Sequence, residues 1–498
     1  MKRCIAVIAL TLCVAACGGP KSVPFVAGPG LARVARPSSS PTPVTIAVDA
    51  DAVGAAISQY ARGANFAAWY DITHPGIATA AQSIGLRFGR WPGGSFSDQY
   101  HWQTNTWCGG GYANPNSTFD NFMNDVAIPA RLKMAITVDY GSNAACNAGG
   151  DPAEAAAWVD YANNVKHYGI THWTVGNEVY GSWEYDLHQV KNDPTTYANA
   201  VATGFYPQMK AKDPSISVGI DVAGGYSPSW DQYVLAHAKF DFVEDHYYAQ
   251  APGSENDAYL LDQAPQALAQ ELQNVRSEMD AAGVPASVPI YLGEFGTVYA
   301  NPGKQSVSIV GGLFTGEAVA QVLQLGLPMS TVWLAFGGCN TGNNSPSLYG
   351  WQDFGTYTIF SDGLPENGCG QPISFGTDFP SARAYQLISH FAVSGGKMLG
   401  TTVGPTGSSI RAYAATQGSG YALLLFDLSE TSPASATISL TNATRTSSNA
   451  TSFAYDKTLY DKSKNGVWAG LRRSSLGTVG TTFSLTLTPW SMTVVVLK

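Results

Sequence analysis

Short apolar runs, each followed by a polar or glycine-rich stretch, recur through most of the chain. Eight of them lie between residues 63 and 390: 64–69, 86–90, 133–139, 172–177, 217–222, 240–245, 290–293 and 331–335. Most are continuously apolar, which is typical of parallel strands buried on both faces. Alanine-rich segments with apolar residues at helical spacing lie between several of them, for example 152–168 and 264–282. The pattern predicts an α/β fold with a (β/α)8 TIM barrel over residues 63–390. A doubly wound open sheet is the alternative, but no Gly-x-Gly-x-x-Gly motif follows the first strand.

The pattern changes after residue 390, where helical periodicity fades and alternating strands rich in Thr and Ser appear. These strands are 421–426, 436–440, 483–487 and 492–497. Alternation of apolar and polar residues is typical of strands with one buried face, so residues 391–498 are predicted to form an accessory β-sandwich domain. Residues 44–48 alternate in the same way, and we expect the N-terminal segment 44–62 to join this sandwich.

The first 43 residues have the composition of an export signal followed by a tether. Lys2 and Arg3 precede an apolar stretch, residues 5–16, that is too short to span a bilayer. The stretch ends in Val-Ala-Ala-Cys, which predicts a bacterial lipoprotein signal over residues 1–17 with Cys17 as the lipidated residue; an ordinary signal peptide is the alternative. Residues 18–43 are rich in Pro, Ser, Gly and Ala and predict a flexible linker. We expect an exported protein, lipid-anchored to the outer membrane or cell surface, or else periplasmic or extracellular.

Composition narrows the class of protein. Apolar residues make up 45% of the chain and charged residues only 13%, while Gly (53), Tyr (25) and Trp (12) are plentiful. This mixture favours a loop-rich enzyme with aromatic stacking surfaces over a coiled coil or a disordered chain. The net charge is −9, and the chain lacks a run of Lys or Arg that would follow phosphates. A nucleic acid is therefore not an expected partner.

Four of the seven cysteines lie beyond the predicted signal and lipidation site: Cys108, Cys146, Cys339 and Cys369. Four cysteines allow three pairings. In an oxidising compartment we expect the pairing of neighbours along the chain, Cys108 with Cys146 and Cys339 with Cys369. A four-cysteine metal site is the alternative, but the CxxC spacing that would favour it is absent.

Two glutamates stand at the ends of predicted barrel strands. Glu178 follows the fourth strand in Trp-Thr-Val-Gly-Asn-Glu, and Glu294 ends the seventh in Ile-Tyr-Leu-Gly-Glu-Phe-Gly. The carboxyl ends of barrel strands meet at one rim, where catalytic groups lie. Cleavage of a glycosidic bond needs two such carboxyls, one to protonate the leaving oxygen and one to attack the anomeric carbon. We predict Glu178 as the acid/base and Glu294 as the nucleophile; a pair of solvated loop carboxylates is the alternative.

Other side chains near strand ends are candidates for substrate contacts. Glu244 and Asp245 form a rival carboxylate pair, but adjacent strand residues face opposite ways and cannot both enter one site. Asp139, at the end of the third strand, is a candidate hydroxyl ligand. The tryptophans at or after strand ends, some of which should stack on sugars, are Trp69, Trp91, Trp102, Trp107 and Trp183.

These motifs resemble those of a known group of enzymes. Asn177 and Glu178 after strand four, with Glu294 at the end of strand seven, are similar to clan A glycoside hydrolases. The run Arg-Trp-Pro-Gly-Gly at 90–94 resembles the Arg-aromatic-Pro-Gly-Gly segment of family 51 α-L-arabinofuranosidases, and residues 173–184 resemble their acid/base segment. The resemblance covers residues 44–498. It implies a retaining double displacement that uses no metal and no cofactor.

The resemblance also implies roles for polar residues around the two glutamates. Asn177 would hydrogen-bond the sugar 2-hydroxyl, a contact that strengthens in the transition state. Arg90 would hold Glu294 ionised and oriented; an ion pair between Arg90 and Glu244 or Asp245 is the alternative.

Three further residues follow from the same comparison. His246 and Tyr248 match the His-x-Tyr motif of the clan, which places Tyr248 to hydrogen-bond Glu294. Trp333, on strand eight, would form the floor under the sugar ring, with Trp91 as another candidate contact. A buried core histidine and a packing tryptophan are the corresponding alternatives. The loop at 301–305 is not explained by the clan pattern, and we expect it to shape the subsite.

The leading hypothesis is a retaining glycoside hydrolase acting on polysaccharide or oligosaccharide, with α-L-arabinofuranosidase as the best guess. β-Xylosidase, galactofuranosidase and endo-glycanase of the same clan remain open, because pocket shape decides between them. A non-catalytic glycan-binding lipoprotein is the alternative from another class. The expected partner is a carbohydrate, and the membrane is contacted only through the lipid anchor.

Overall fold

A closed barrel and a nine-stranded sheet organise the chain. They are seen in a computed structural model that describes residues 41–110, 112–363, 373–443 and 447–498. The predicted signal with Cys17, most of the predicted linker, and Cys369 lie outside the described residues.

The strands fall into a barrel set, a sheet set and one small hairpin. They are β1 (Thr42–Ala56), β2 (Gly63–Asn65), β3 (Phe88–Trp91), β4 (Tyr100–His101), β5 (Thr106–Trp107), β6 (Lys133–Val138), β7 (His172–Val175), β8 (Ser217–Asp221), β9 (Phe242–Tyr248), β10 (Ile290–Gly296), β11 (Ser330–Val332), β12 (Lys397–Gly404), β13 (Ile410–Gln417), β14 (Gly420–Asp427), β15 (Ala434–Thr441), β16 (Ser447–Asp456), β17 (Arg472–Val479), β18 (Thr482–Leu487) and β19 (Ser491–Leu497).

Helices connect most of the barrel strands. They are α1 (Ile77–Ser83), α2 (Phe119–Asn121), α3 (Ile128–Ala130), α4 (Pro152–Val159), α5 (Pro194–Ala200), α6 (Tyr206–Lys212), α7 (Pro228–His237), α8 (Asp257–Asp262), α9 (Ala264–Ala281), α10 (Ile309–Leu325), α11 (Pro380–Phe391) and α12 (Lys457–Asp461). Three π-helical segments, Phe122–Ala127, Asp160–Val165 and Val201–Phe205, continue α2 into α3, extend α4, and join α5 to α6. Short 3-10 turns lie at Gln59–Ala61, Gly94–Gln99, Gly224–Tyr226 and Lys462–Asn465.

The predicted barrel is confirmed. Eight parallel strands close in the order β2-β3-β6-β7-β8-β9-β10-β11, and each coincides with one of the eight apolar runs. The two predicted alanine-rich helices are α4 with its π-helical extension, and α9. The side chain of Asp151 caps α4 by accepting from the Ala153 N–H, and Pro152 occupies the first turn, where its missing N–H costs nothing.

The second domain is one hydrogen-bonded sheet folded on itself. Its order is β17-β16-β19-β14-β13-β12-β1-β15-β18, so β1 lies between β12, to which it is antiparallel, and β15, to which it is parallel. Residues from β1, β12 to β16, β18 and β19 contact one another in a single apolar core. Strand β1 therefore joins the predicted domain as an interior strand, and the sheet draws strands from both ends of the described chain.

Strand β14 shows how the sheet is fixed to the barrel. Leu423 and Leu425 point into the core of the sheet, whereas Leu424 and Phe426 belong to the barrel's cluster of buried residues. This alternation of period two lets one strand bury both faces. The sheet thus supports the barrel from the side of α10 and α11.

One predicted disulfide is confirmed. Cys108, after the β4–β5 hairpin, is bonded to Cys146 in the loop after β6, with the two Cα atoms 5.4 Å apart. The pairing of Cys339 with Cys369 stays a prediction, because Cys369 lies outside the described residues. Across the described ranges, no helix combines the length and the apolar character needed to cross a membrane.

Candidate active site

The acid/base candidate stands on a sharp turn after β7. The backbone of Gly176 is left-handed (φ +81°), and a Cβ there would come within 2.4 Å of Val179 Cγ1, so the turn requires glycine. Glu178 is itself left-handed (φ +45°), which is uncommon for a residue with a side chain. The turn directs Glu178 to the rim of the barrel, where it is 7% exposed.

The nucleophile candidate lies on β10 and is 4% exposed. Oε1 of Glu294 accepts a hydrogen bond from Arg90 Nη1 at 2.9 Å, and Oε2 accepts one from the Tyr248 hydroxyl at 2.6 Å. The predicted contacts of Arg90 and Tyr248 with Glu294 are thus both present. Two donors hold the carboxylate with a fixed orientation, as a nucleophile requires.

The two glutamates face each other across the barrel mouth. One oxygen of Glu178, one of Glu294 and a ring nitrogen of His246 all lie within 4.8 Å of one another. Retaining glycosidases place their carboxyls about 5–5.5 Å apart, and inverting enzymes about 6.5–9.5 Å apart to admit a water. The spacing in this site is of the retaining kind.

Arg90 connects the two sides of the site. Besides Glu294, its guanidinium contacts Glu244, with Nε 2.7 Å from Oε1, and Asn177, with Nη2 2.8 Å from Oδ1. Both predicted pairings of Arg90 are therefore present at once. Burial favours the neutral form of Arg90, but Glu244 and then Glu294 outweigh it and raise its pKa. Burial likewise opposes ionisation of Glu244, yet Arg90 and His246 lower its pKa to about 2.

His246 lies between the acid/base and Glu244. Its Nδ1 is 3.1 Å from Glu178 Oε1, and its Nε2 is 3.3 Å from Glu244 Oε1. Burial favours the neutral ring, but Glu294, and then the hydrogen bonds with Glu178 and Glu244, raise the pKa of His246 well above its usual value. An imidazolium that donates one N–H to Glu178 Oε1 and the other to Glu244 Oε1 fits these contacts.

Burial and neighbouring groups also shift the pKa values of Glu294 and Tyr248. Burial raises the pKa of Glu294, while His246, Arg90 and the Tyr248 hydroxyl oppose that rise. Burial and the adjacent Glu294 raise the pKa of Tyr248, so the phenol stays protonated and remains a donor.

The aromatic predictions have mixed outcomes. Trp333 is partly exposed at the rim, with its ring centre 6.1 Å from that of Trp69. A Cβ on Gly94 would come within 2.8 Å of the Trp333 ring, so the glycine leaves room for the indole. The prediction that Trp91 contacts substrate is wrong. This indole is fully buried and stacks on Phe122 with ring centres 4.3 Å apart, which leaves no surface for a sugar.

The carboxylate of Asp139 is hydrogen-bonded to Ser142, three residues further along the chain. Its Oδ1 accepts from the Ser142 N–H at 2.8 Å and its Oδ2 from the Ser142 hydroxyl at 2.9 Å. These contacts form a turn after β6. A role for Asp139 as a hydroxyl ligand stays a prediction.

Sequence reasoning missed several polar residues of the site. The side chain of Asn65, at the end of β2, accepts from Arg90 Nη1 at 3.1 Å. Trp183, which was predicted only as a candidate for stacking on sugars, donates from Nε1 to Glu178 Oε2 at 2.9 Å. Asp98 and Glu184 contact Asn177. Asn65 lies near the start of the predicted run 64–69, but β2 already ends at Asn65, so the strand-end argument was applied at the wrong position. The other three lie in loops, where no periodicity marks them.

Among the residues that the structure describes, two groups of side chains have donor atoms close enough for a metal ion. In the first, Glu178, His246 and Glu294, both imidazole nitrogens already bond carboxylates. In the second, His101 with Cys108 and Cys146, both sulfurs are held in the disulfide. Neither group has the free ligands of a metal centre, and acid/base chemistry is what the first can perform.

A parallel eight-stranded barrel with two facing glutamates at the ends of its fourth and seventh strands, backed by a β-sheet domain, is the architecture of clan A glycoside hydrolases. The fold is similar to that of solved α-L-arabinofuranosidases. An arabinofuranosidase crystal structure superposes with a TM-score of 0.72 at 17% identity, covering 91% of this chain and 100% of the other. An arabinose complex of the Thermotoga maritima α-L-arabinofuranosidase gives 0.69 at 16%, covering 91% and 99%. A family 51 α-L-arabinofuranosidase from Thermotoga petrophila RKU-1 gives 0.67 at 17%, covering 91% and 100%, so the resemblance to family 51 is confirmed at the level of the fold.

The chain is also similar to a glycoside hydrolase of another family and, over part of its length, to a curated protein sequence. A family 44 xyloglucanase from Paenibacillus polymyxa superposes with a TM-score of 0.65 at 14% identity, covering 92% of this chain and all of that one. A curated relative, α-L-arabinofuranosidase C of Emericella nidulans, is 29% identical over 169 residues, which are 29% of this chain. The match spans 31% of that relative's length. No family model matches the chain.

Proposed function

We propose that this protein is a retaining glycoside hydrolase that cleaves terminal α-L-arabinofuranosidic bonds by double displacement. The observation that carries the proposal is the facing pair Glu178 and Glu294, with ligand atoms within 4.8 Å of each other and only Glu294 held by Arg90 and Tyr248. The asymmetry assigns the roles. A carboxylate held by a guanidinium and a phenol suits attack, and the one facing an imidazole suits proton transfer.

In the first step, Glu294 attacks the anomeric carbon while the glycosidic C–O bond breaks. The proton of Glu178 passes to the leaving oxygen, so the departing sugar leaves as an alcohol. The negative charge of Glu294 nearby favours the protonated form of Glu178 before the step. Asn177, held by Arg90, is placed to hydrogen-bond the 2-hydroxyl as charge develops on the ring.

In the second step, water attacks the anomeric carbon of the glycosyl ester. Glu178, now ionised, accepts a proton from the water, and the C–O bond to Glu294 breaks to restore its carboxylate. His246 bridges Glu178 and Glu244 and can stabilise the charge that alternates on Glu178. The two steps together retain the anomeric configuration.

The choice of arabinofuranose is supported by two kinds of likeness. The neighbours in fold include arabinofuranosidases, one of them bound to arabinose, and the curated relative carries the same activity in its name. A second candidate is an endo-glycanase, since the family 44 xyloglucanase has the same fold. β-Xylosidase and galactofuranosidase are further candidates of the clan.

The test uses residues 41–498 with aryl glycosides of arabinofuranose, xylose, galactofuranose, galactose and glucose, beside Glu294→Ala and Glu294→Gln. Hydrolysis of the arabinofuranoside alone, lost in both variants, would support the assignment. Hydrolysis of a different glycoside would replace the substrate and keep the mechanism. Equal activity of wild type and variants would overturn the nucleophile.

Inactivity on every aryl glycoside is informative when xyloglucan and arabinoxylan are assayed in parallel. Release of oligosaccharides from either polymer would favour the endo-glycanase. Binding to a polymer without cleavage, unchanged in Glu294→Ala, would favour a glycan-binding lipoprotein instead.

We further propose that the protein is exported and anchored by lipid on Cys17. The support is the apolar stretch at residues 5–16 that ends in Val-Ala-Ala-Cys, followed by a Pro/Ser-rich tether. Expressed as the full chain in a bacterium, the protein should take up labelled palmitate and sediment with membranes. Cys17→Ala should abolish both, and a wild type that is soluble and unlabelled would refute the anchor.

A further inference from the structure

Asn177, the predicted ligand of the sugar 2-hydroxyl, is held from three directions. Its Oδ1 accepts from Arg90 Nη2 at 2.8 Å, its Nδ2 donates to Glu184 Oε1 at 3.1 Å, and its backbone N–H donates to Asp98 Oδ2 at 3.1 Å. The residue is 2% exposed. The oxygen of its side-chain amide therefore faces a donor, Arg90, and the nitrogen faces an acceptor, Glu184.

The two carboxyls that contact Asn177 come from loops rather than from barrel strands. Asp98, fully buried in the turn Gly94–Gln99 after β3, also lies 3.4 Å from the Tyr140 N–H after β6. Glu184, six residues after Glu178, also accepts from the Ser95 hydroxyl at 2.7 Å. The loop after β3 thus contacts the segment after β7 twice, through Asp98 with Asn177 and through Ser95 with Glu184.

We propose that Asp98 and Glu184 are positioning residues that lock Asn177 in the one orientation able to bind the 2-hydroxyl of the sugar. The inference rests on the proposed glycosidase function and deepens it. A flipped amide would set its N–H groups against those of Arg90 and its oxygen against the Glu184 carboxyl. The contact with Arg90 would become repulsive in either protonation state of Glu184, and so would the contact with Glu184 Oε1, which is already the acceptor for the Ser95 hydroxyl. The flip is therefore excluded, and one Nδ2 hydrogen stays available for substrate.

Asp98 holds the backbone while Glu184 holds the side chain. The peptide before Asn177 belongs to Gly176, which is left-handed, and Glu178 after it is left-handed as well. Such a turn persists only when its surroundings fix it. The hydrogen bond from the Asn177 N–H to Asp98 supplies this support and thereby places Glu178 too.

The electrostatic surroundings favour neutral carboxyls at both positions. Burial, and then Glu184, raise the pKa of Asp98, while burial, and then Glu178, raise the pKa of Glu184. A neutral carboxyl still accepts hydrogen bonds through its carbonyl oxygen. Glutamine in place of Glu184 should therefore preserve the contact, whereas alanine removes it.

The kinetic test compares Glu184→Ala, Glu184→Gln, Asn177→Ala and the double variant Glu184→Ala/Asn177→Ala on the best aryl glycoside. Loss of one hydrogen bond to a group that acts in the transition state should lower kcat about 10- to 100-fold in Glu184→Ala with little change in KM. Glu184→Gln should retain most of the rate. The double variant should match Asn177→Ala within about twofold, because the two residues act through one contact.

The proposal would be overturned if the fold-losses in kcat of Glu184→Ala and Asn177→Ala multiplied in the double variant. It would also be overturned if Glu184→Gln were as slow as Glu184→Ala. Crystal structures of wild type and Glu184→Ala supply a readout that does not depend on activity. The Asn177 side chain should leave Arg90 Nη2 in the variant, and an unmoved side chain would overturn the proposal even if the wild type hydrolysed no glycoside. A similar structure of Asp98→Ala, which removes both acceptor oxygens, should show the turn at 176–178 displaced, and an unmoved turn would overturn the role given to Asp98.

Discussion

A single buried glutamate joins the barrel to the sheet and should make stability depend on pH. Glu317, on α10, is 1% exposed, and its Oε1 lies 3.2 Å from the Tyr413 hydroxyl and 3.6 Å from Arg411 Nε, both on β13. Burial raises its pKa from the ordinary 4.5 to about 7, although Arg411 and then Tyr413 oppose the rise. The cost of burying the charged carboxylate therefore exceeds the stabilisation that partly exposed Arg411 gives it.

The sign follows from which state binds the proton more tightly. A carboxyl whose pKa is higher in the folded state contributes stability below pH 4.5 and loses it as the pH rises through about 7. At about 1.4 kcal/mol per pH unit, the span from 4.5 to about 7 corresponds to a loss of about 3 kcal/mol. Glu317→Gln keeps an acceptor for Tyr413 and has no proton to lose, so it should escape this loss.

The assay is the melting temperature of wild type and Glu317→Gln at pH 4.5 and pH 8. With about 2.1 cal/mol/K of unfolding entropy per residue over roughly 450 residues, about 3 kcal/mol corresponds to a shift of about 3 °C. Relative to wild type, the Gln variant should therefore gain about 3 °C between the two pH values. Asp51→Asn, which removes an exposed carboxylate on β1, is the control and should show no such gain. Parallel pH curves for wild type and Glu317→Gln would refute the reasoning.

Three further outcomes follow from the site and from the disulfide. Tyr248→Phe removes a hydrogen-bond donor that lowers the pKa of Glu294. The acidic limb of the pH profile of kcat/KM should therefore move to higher pH, and kcat should fall about 10- to 100-fold. An acidic limb at the wild-type pH would contradict this expectation. Glu178→Ala should hydrolyse a dinitrophenyl glycoside far better than a methyl glycoside, because only the poor leaving group needs a proton, and equal losses on both would count against the acid role. Replacing Cys108 and Cys146 by Ser opens a loop with a sequence separation of 38 and should remove about 4 kcal/mol of stability relative to the oxidised wild type. Urea denaturation measures the difference, and equal midpoints for the two proteins would contradict the expectation.

The barrel could be predicted from the sequence because its strands carry the strongest local signal. A parallel strand covered on both faces is a continuous apolar run, and all eight runs became strands. Barrel closure then brings strand ends to one rim, so Glu178 and Glu294 could be paired although they are distant in sequence. Strands such as β16 and β17, rich in Ser, Thr and Arg, have no such run and were missed.

The Trp91 error had a remedy in the sequence. Successive residues of a strand face opposite sides. Arg90 was expected to contact Glu294 at the barrel mouth, which places the side chain of Trp91 on the other face of the strand, where it stacks on Phe122. The contacts of Asp98 and Glu184 had no such remedy. They depend on the path of the loops after β3 and β7, which apolar periodicity does not describe.

The charges around the two glutamates explain why this site needs more than two carboxyls. Arg90 and a protonated His246 carry two positive charges, and ionised Glu244 and Glu294 carry two negative ones. The charges of Arg90, His246, Glu244 and Glu294 cancel, so the site with Glu178 included is neutral only when Glu178 is protonated. This is the form that the proposed acid needs before the first step. Once Glu294 becomes an ester its charge is gone, the site turns positive, and Glu178 is driven to ionise, which is the form that a base needs for the second step. Glu244 is therefore a fixed counter-charge, and removing it should disturb both steps, whereas removing Glu178 alone impairs only proton transfer.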